Sequence, residues 1–260
     1  MLLAPKPAQT HSPEACCARP LFRSSLPYGP LRTPPALAAY RACRAALALL
    51  LLAAPVVAQE ASDTWYAERI ISGDTPPIVE HLWSKGPKLR AETVVGGQPI
   101  VTLVNGERYI TIDRLTRTGV SIQRRPDAIR EDAERGRPFG NEGSILQAAG
   151  GEKVSTEKVG GRPCELYRLT NTDGRQEACV SRDESRLPLQ VKIWRRKSGK
   201  QALTRYLDWV SGLPMPDDFF EPDASVKLEH VSYDDYVRRA GKEQIGPAPP
   251  FFRGLLHGTN

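Results

Sequence analysis

Cysteines, histidines and paired acids are the side chains of this 260-residue chain that could carry chemistry. Cys164 and Cys179 are the cysteines that follow an N-terminal leader, and they flank a stretch with the pattern of a β-hairpin. A closed zinc site takes four ligands, so this pair is a poor candidate for metal binding. In an exported protein two cysteines most simply form a disulfide.

The register of this hairpin decides whether the disulfide can form. If Thr170 lies opposite Arg175 across a four-residue loop, Cys179 lies opposite Leu166 and both cysteines share one sheet face. A three-residue loop closed by Gly174 puts them on opposite faces, and the bridge then needs a bulge. The sequence leaves both registers open.

Other candidates for catalysis carry little signal. The histidines after residue 58 show no metal-ligand spacing. The acid pairs Asp217/Asp218 and Asp234/Asp235 fall in a turn and at a helix start, where structural use is commoner than acid-base chemistry. The sequence contains no phosphate loop, dinucleotide fingerprint or nucleophile elbow. We therefore predict a protein that is not an enzyme and that has no cofactor and no metal.

The N-terminal leader has the layout of a secretory signal. An uncharged apolar run from Ala45 to Ala58 follows Arg41 and Arg44 and precedes a polar stretch. This run is shorter than the ~20 residues of a membrane-spanning helix. We expect cleavage after Ala58, a periplasmic location and no stable transmembrane segment afterwards. Residues 1–40 are Pro-rich, and either the start codon is assigned too early, which we favour, or they form a disordered leader.

Removal of the leader changes the charge balance. The chain has 36 Lys+Arg and 30 Asp+Glu, and residues 1–58 hold six of the basic and one of the acidic side chains, which leaves 30 against 29. A nucleic-acid partner is therefore not expected, because phosphate binding needs net or clustered positive charge. The densest remaining basic stretch, "WRRKSGK" from Trp194 to Lys200, is interpreted as a solvated hairpin tip.

The remaining sequence predicts a mainly β (α+β) fold. Short runs rich in branched and aromatic residues alternate with glycine-containing turns, which is typical of an antiparallel meander of about 11 strands. So many strands must curl to bury their faces. In "PIVTLV" both faces are apolar, so this strand is expected to be covered on each side. Short helices are predicted at "PDAIREDAERG", "NEGSILQAA" and "SYDDYVRRAG", the last with Ser232 and Asp235 in capping-box spacing.

The order of strands and turns from about Trp65 to Glu229 resembles the LolA/LolB-type periplasmic lipoprotein carrier family and its outer membrane lipoprotein-sorting relatives. The resemblance is carried by "HLWSKGPKLRAE", "PIVTLVNGERYITID", "GGRPCELYRLTNTDGRQEACVSRDESRLPLQVKIW" and "LPMPDDFFEPDASVKLE". It implies an open half-barrel over residues 59–231, a curved antiparallel sheet with a few short helices across its concave side. It also implies an apolar concavity that binds lipid acyl chains or lipoproteins, and an envelope membrane complex as a further partner.

Three features depart from the family pattern. Gly86, flanked by Lys85 and Lys88, stands where carriers commonly place an arginine before the proline, and Arg90 and Glu92 replace apolar residues after it. The amphipathic N-terminal helix of a carrier is missing. The alternative function is therefore an interaction or sensory module of the cell envelope that uses the same fold without carrying lipid. An open groove of several hundred Å³ favours the binder, and a filled concave face favours the interaction module.

The predicted lipid contacts are apolar strand residues: Trp83, Leu89, Leu103, Ile110, Ile112 and Trp194. Residues 232–260 are expected to form a C-terminal helix and an apolar, Pro-rich tail. The apolar end of this tail comprises Phe251, Phe252, Leu255 and Leu256. We favour packing of these residues on the outer sheet or over an edge, and we keep a lid or partner-docking segment as the second hypothesis.

Overall fold

The computed structural model describes residues 63–74 and 76–258. The predictions for the leader and the signal peptide lie outside this part of the chain. Within it, no helix is both long enough and apolar enough to cross a membrane.

Twelve strands form one open sheet. The strands are β1 Thr64–Gly73, β2 Ile78–Lys85, β3 Lys88–Val95, β4 Gln98–Asn105, β5 Arg108–Asp113, β6 Thr118–Gln123, β7 Glu152–Val159, β8 Arg162–Thr170, β9 Gly174–Ser181, β10 Pro188–Arg195, β11 Gln201–Ser211 and β12 Lys227–Val231. Their order across the sheet is β12-β6-β5-β4-β3-β2-β1-β11-β10-β9-β8-β7. All neighbours are antiparallel except β12, which runs parallel to β6.

The predicted mainly β fold with an open curved sheet is confirmed, and the eleven strand runs found in the sequence correspond to β1 to β11. The sequence did not reveal β12. This strand has five residues, and Lys227, Glu229 and His230 are exposed. A short polar edge strand that pairs in parallel has neither the apolar alternation nor the hairpin turn that marks the others.

In the described part of the chain, four short α-helices and one 3-10 helix accompany the sheet. They are α1 Pro126–Arg135, α2 Glu142–Ala148, α3 Tyr233–Ala240, α4 Arg253–His257 and the 3-10 helix Asp217–Phe220. The first three α-helices were predicted, and the Ser232 side chain accepts a hydrogen bond from the Asp235 N–H at the start of α3. The short helix α4 was not predicted, because "FFRGLLHG" has one apolar turn and no cap.

The sheet buries apolar side chains on both faces. One face packs against the α-helices and the C-terminal residues, and its cluster contains Leu82, Leu89, Val104, Tyr109 and Ile122; we call it the helix-covered face. The other face carries Val101, Leu103, Ile110 and Ile112. Residues 213–226 cross this second face, so we call that segment the strap and this side the strap face. As expected, β4 is covered on both sides.

Cys164 and Cys179 form a disulfide with a Cα–Cα distance of 5.4 Å. Thr170 lies opposite Arg175 and Leu166 opposite Cys179, so the hairpin adopts the four-residue register that places both cysteines on one face. Gly174 is required there, because a Cβ atom would come within 1.9 Å of the Trp194 carbonyl oxygen. The disulfide indicates an oxidising, extracytoplasmic compartment.

We predict that the double substitution Cys164→Ala, Cys179→Ala lowers the free energy of unfolding by about 3 kcal/mol, because the bridge closes a loop with a sequence separation of 15. Urea unfolding followed by circular dichroism measures this change. The wild-type protein with a thiol reductant serves as the control and should lose a similar amount. Equal unfolding midpoints for oxidised wild type and variant would contradict the prediction.

Candidate functional site

A groove of about 880 Å³ lies on the strap face, between strands β3 to β5, the β5–β6 turn and the strap. Val101, Leu103 and Ile112 form its apolar floor, and each is at most 5% exposed. Phe219 of the strap adds an aromatic wall. A groove of this volume is large enough for an acyl chain or another small apolar ligand.

Three arginines and three acids line the rim of this groove: Arg90, Arg114, Arg117, Asp218, Glu221 and Asp223. The Arg90 guanidinium lies 4.6 Å from the centre of the Phe219 ring and donates a hydrogen bond to the Phe219 carbonyl oxygen at 3.0 Å. Glu92 accepts from Arg90 at 2.6 Å and from Arg114 at 3.1 Å. Arg90, which replaces an apolar residue of the family pattern, therefore lines the groove and attaches the strap to the sheet, and Glu92, the other replacement, pairs with it.

The strap is also held at its beginning by the lysines that flank Gly86. The Nζ atoms of Lys85 and Lys88 lie 2.8 and 3.4 Å from Oδ1 of Asp217. Lys85 also donates to the Met215 carbonyl oxygen at 3.1 Å. The hydrogen bond from Lys85 lowers the pKa of Asp217. The departure from the family pattern at Gly86 thus has a structural role, because both neighbouring lysines tether the strap.

On the helix-covered face, C-terminal residues fill the surface over strands β4 to β6. Residues 245–257, which we call the C-terminal cover, pack across strands β4 to β6 and bury Ile245, Leu255 and Leu256 in the main apolar cluster. The Phe252 N–H donates a hydrogen bond to the Tyr109 hydroxyl at 3.3 Å, and burial raises the pKa of Tyr109. The cover therefore forms part of the apolar core on the helix-covered face.

Gly246 lets the C-terminal cover approach the sheet. Its φ angle is 77°, and a Cβ atom would lie 2.4 Å from Cγ1 of Val120. Only glycine combines this backbone conformation with such close contact.

Arg124 anchors the far end of the cover. Its side chain is fully buried, and Nε donates to the Leu255 carbonyl oxygen at 2.6 Å. The other guanidinium nitrogens donate to the Gly106 carbonyl at 2.6 Å, the Ala128 carbonyl at 3.2 Å and both Asp132 oxygens at 2.8 and 2.9 Å. The sequence analysis missed this residue, since an arginine before a helix carries no sign that it will be buried among three separate chain segments.

The structure brings together three of the six predicted lipid contacts. Leu103 and Ile112 line the groove, and Ile110 belongs to the same cluster. Leu89 is buried on the helix-covered face, because it pairs with Val104 while its neighbour Arg90 pairs with Leu103. Alternation along β3 therefore separates Leu89 from the groove.

The two predicted tryptophans lie elsewhere on the strap face. Trp83 is half-buried and packs edge-on against Phe219 with 5.7 Å between ring centres, beside Tyr66 at 5.3 Å. Trp194 lines a separate groove of about 520 Å³ at the β10–β11 end of the sheet. The six residues do not line one cavity.

The apolar tail residues lie in the core of the helix-covered face. Leu255 and Leu256 are buried there, Phe252 packs against the same cluster, and Phe251 is half-buried. The expected position on the outer sheet or over an edge differs from this arrangement. The local sequence of these four residues does not indicate which face of the sheet they pack on, because that face is formed by strands more than 100 residues earlier in the chain.

A buried polar cluster joins α2 to the sheet on the helix-covered face. Arg69 and Glu80 form an ion pair at 2.6 Å, and the Tyr206 hydroxyl donates to Glu142 at 2.7 Å. Burial raises the pKa of Tyr206. Each of these side chains has a partner within the cluster, which fits a structural role. In residues 63–74 and 76–258, no group of three or more His, Cys, Asp or Glu side chains could hold a metal ion.

The open sheet, with helices on one face and a strap and groove on the other, defines a β half-barrel with a candidate site for apolar ligands. No protein-family model matches the chain. No curated protein matches it in sequence either.

Solved structures similar to this chain include an uncharacterized conserved protein from Thermus thermophilus, with a TM-score of 0.47, 10% identity, and coverage of 72% of this chain and 99% of that chain. The MucA/MucB complex of Pseudomonas aeruginosa gives a TM-score of 0.41 and 15% identity over 64% of this chain and 58% of the matched chain. A domain from Vibrio parahaemolyticus described as a putative outer membrane lipoprotein-sorting protein gives a TM-score of 0.33 and 10% identity, with coverage of 63% of this chain and 92% of that chain. The description of the Vibrio domain matches the family that the sequence resembles. At these TM-scores the similarities assign no function.

Proposed function

We propose that this protein binds an acyl chain of a lipid or a lipoprotein, as a non-enzymatic carrier or chaperone-like protein of the periplasm. The observation that carries the proposal is the groove of about 880 Å³ with an apolar floor and a charged rim. Burial of an acyl chain contributes ~0.8 kcal/mol per methylene.

Two further observations support the periplasmic part of this proposal. The disulfide fits an oxidising compartment. The sequence of residues 41–58 has the layout of a cleaved signal, with cleavage proposed after Ala58. Leu103, Ile110 and Ile112 are the proposed lipid contacts at the groove, and Trp83 is a proposed contact beside the strap.

Filling the groove tests the proposal. Ala224 lines the groove and is exposed, so Ala224→Trp is expected to occupy ligand space without disturbing the core. We predict at least about tenfold weaker binding of a fluorescent fatty acid, a loss of ~1.4 kcal/mol. A fluorescence titration measures it.

The matched control is Ala149→Trp, which adds the same side chain at an exposed position at the end of α2. This variant is expected to bind like wild type. If Ala224→Trp binds the fatty acid as tightly as wild type, the acyl chain binds elsewhere on the protein. Absence of binding by wild type itself would remove the proposed function.

The second candidate is an interaction or sensory module of the cell envelope, with a membrane complex or another envelope protein as partner. It is favoured by the helix-covered face, which side chains of the C-terminal cover fill. Native mass spectrometry of the exported form, expected to begin at Gln59, separates the two. Bound lipid masses that disappear on delipidation support the binder, and an apo mass that takes up neither phospholipid nor acylated peptide supports the module.

A further inference from the structure

The β10–β11 hairpin carries an unusual charge distribution. From Arg186 to Leu207 the chain has seven Lys or Arg residues and no Asp or Glu. Four of these cations lie at the turn, and all four are exposed: Arg195, Arg196, Lys197 and Lys200. None of the four forms an ion pair with any residue in the described part of the chain, although Arg114 and Arg117 near the groove do. The turn therefore presents positive charge in excess of the two exposed acids in the neighbouring turns, Asp74 and Asp173.

Exposed apolar side chains lie at the same end of the sheet. The antiparallel registers place the β10–β11 turn at the end that also carries the β3–β4 and β5–β6 turns. Leu115, in the β5–β6 turn, is 70% exposed, and Val94, beside the β3–β4 turn, is 59% exposed. Trp194 is half-buried next to the cations. We call these three residues and the four cations the basic end of the sheet.

We propose that the basic end docks on the surface of an anionic lipid bilayer. Each Lys or Arg close to such a surface strengthens binding by about fivefold. Tryptophan is favoured at the boundary between water and acyl chains, and exposed aliphatic side chains can enter it. A soluble polyanion would use the cations but would leave Leu115 and Val94 in water, so the combination favours a membrane.

Membrane docking goes beyond ligand binding and does not depend on it. Arg114 and Arg117 lie in the β5–β6 turn on either side of Leu115 and also line the groove. A protein docked through the basic end would therefore hold one side of the groove near the bilayer.

The experiment measures sedimentation of the purified protein with phosphatidylglycerol-containing vesicles and with vesicles of phosphatidylcholine alone. Wild type is expected to bind the anionic vesicles only. The double substitution Arg196→Glu, Lys197→Glu should weaken this binding by at least about 25-fold, because two attractive charges become repulsive. Binding of the fluorescent fatty acid, measured in parallel, should not change, so failure of docking and failure of ligand binding are distinguishable.

The matched control is Arg108→Glu, Arg182→Glu. Both arginines are exposed at the opposite end of the sheet, Arg108 at the start of β5 and Arg182 just after β9, and neither has an ion pair within the described residues. This variant has the same net charge as the first and is expected to bind like wild type. If both variants lose the same affinity for anionic vesicles, the loss arises from the overall charge of the protein and the proposal is wrong.

A third variant distinguishes docking on a bilayer from binding of a soluble polyanion. Leu115→Ser is expected to weaken vesicle binding severalfold and to leave heparin binding unchanged. Vesicle binding as tight as that of wild type would overturn the membrane assignment. Absence of wild-type binding to anionic vesicles would overturn the proposal outright.

Discussion

Deleting the chain from Gly246 onward is expected to open the helix-covered face and to raise the fluorescence of an environment-sensitive dye. The deletion removes Leu255 and Leu256, which are 4% and 0% exposed in the main apolar cluster. Leu89 and Val104 belong to the same cluster and would lose part of their cover. Loss of the two leucines alone is expected to lower the free energy of unfolding by about 3–6 kcal/mol.

This result bears on whether the C-terminal cover is a lid or a fixed part of the core. Domains commonly have about 5–15 kcal/mol of stability, so the truncated chain can remain folded with an exposed apolar surface. If the cover is a lid, the folded truncated chain binds the dye and a fatty acid displaces it. Unchanged dye fluorescence from a folded truncated chain contradicts the lid.

Hydrogen exchange of the intact protein provides the test that does not depend on truncation. A fatty acid that displaces the cover is expected to accelerate amide exchange in residues 245–257. A ligand that occupies the groove on the strap face leaves these amides protected. The control is Ala224→Trp, in which the groove on the strap face is filled. If the fatty acid acts on the helix-covered face, exchange in residues 245–257 should accelerate in this variant as in wild type.

Arg124→Ala is expected to produce the second large effect, a loss of about 3–5 kcal/mol in the free energy of unfolding. The guanidinium of Arg124 satisfies three carbonyl oxygens and the carboxylate of Asp132, which is 12% exposed. Removal leaves that carboxylate without its charge partner. In thermal unfolding this corresponds to a decrease in Tm of roughly 6–20 °C for a domain of this size.

Arg130→Ala is the matched control. Arg130 lies on the same helix as Asp132 and pairs with Asp127, but its side chain is 76% exposed. An exposed pair contributes at most about 1 kcal/mol, so this variant should unfold close to wild type. Arg124→Lys keeps the charge but cannot reproduce the planar set of donors, and it should recover only part of the loss. A decrease below about 1 kcal/mol for Arg124→Ala would show that the anchor is dispensable.

Local sequence signals predicted the strands because each strand is bounded by its own turn. In β4 the pattern "PIVTLV" correctly indicated cover on both faces. The turn at Asn171 to Gly174 left two hairpin registers open, and the structure selects the one in which Thr170 faces Arg175. The sequence could not choose between them, because Gly174 suits either loop until its contact with Trp194 is known.

The candidate site was only partly predictable. Leu103, Ile110 and Ile112 were chosen as apolar strand residues and do lie together. Leu89 was chosen on the same ground and lies on the opposite face. The strap that walls the groove looks like an irregular Pro-rich linker in the sequence, and its attachment through Lys85 and Arg90 joins segments that are 130 and 129 residues apart.

The sequence by itself determined the alternation of side chains along each strand, the turns between strands and the cysteine pair, since these depend on near neighbours. The tertiary structure alone decided which face each covering segment meets. An alternating strand has two equivalent sides until something packs on one of them. Residues 245–257 pack on one side and residues 213–226 on the other, and this choice places the groove, buries Arg124 and leaves the basic end uncovered.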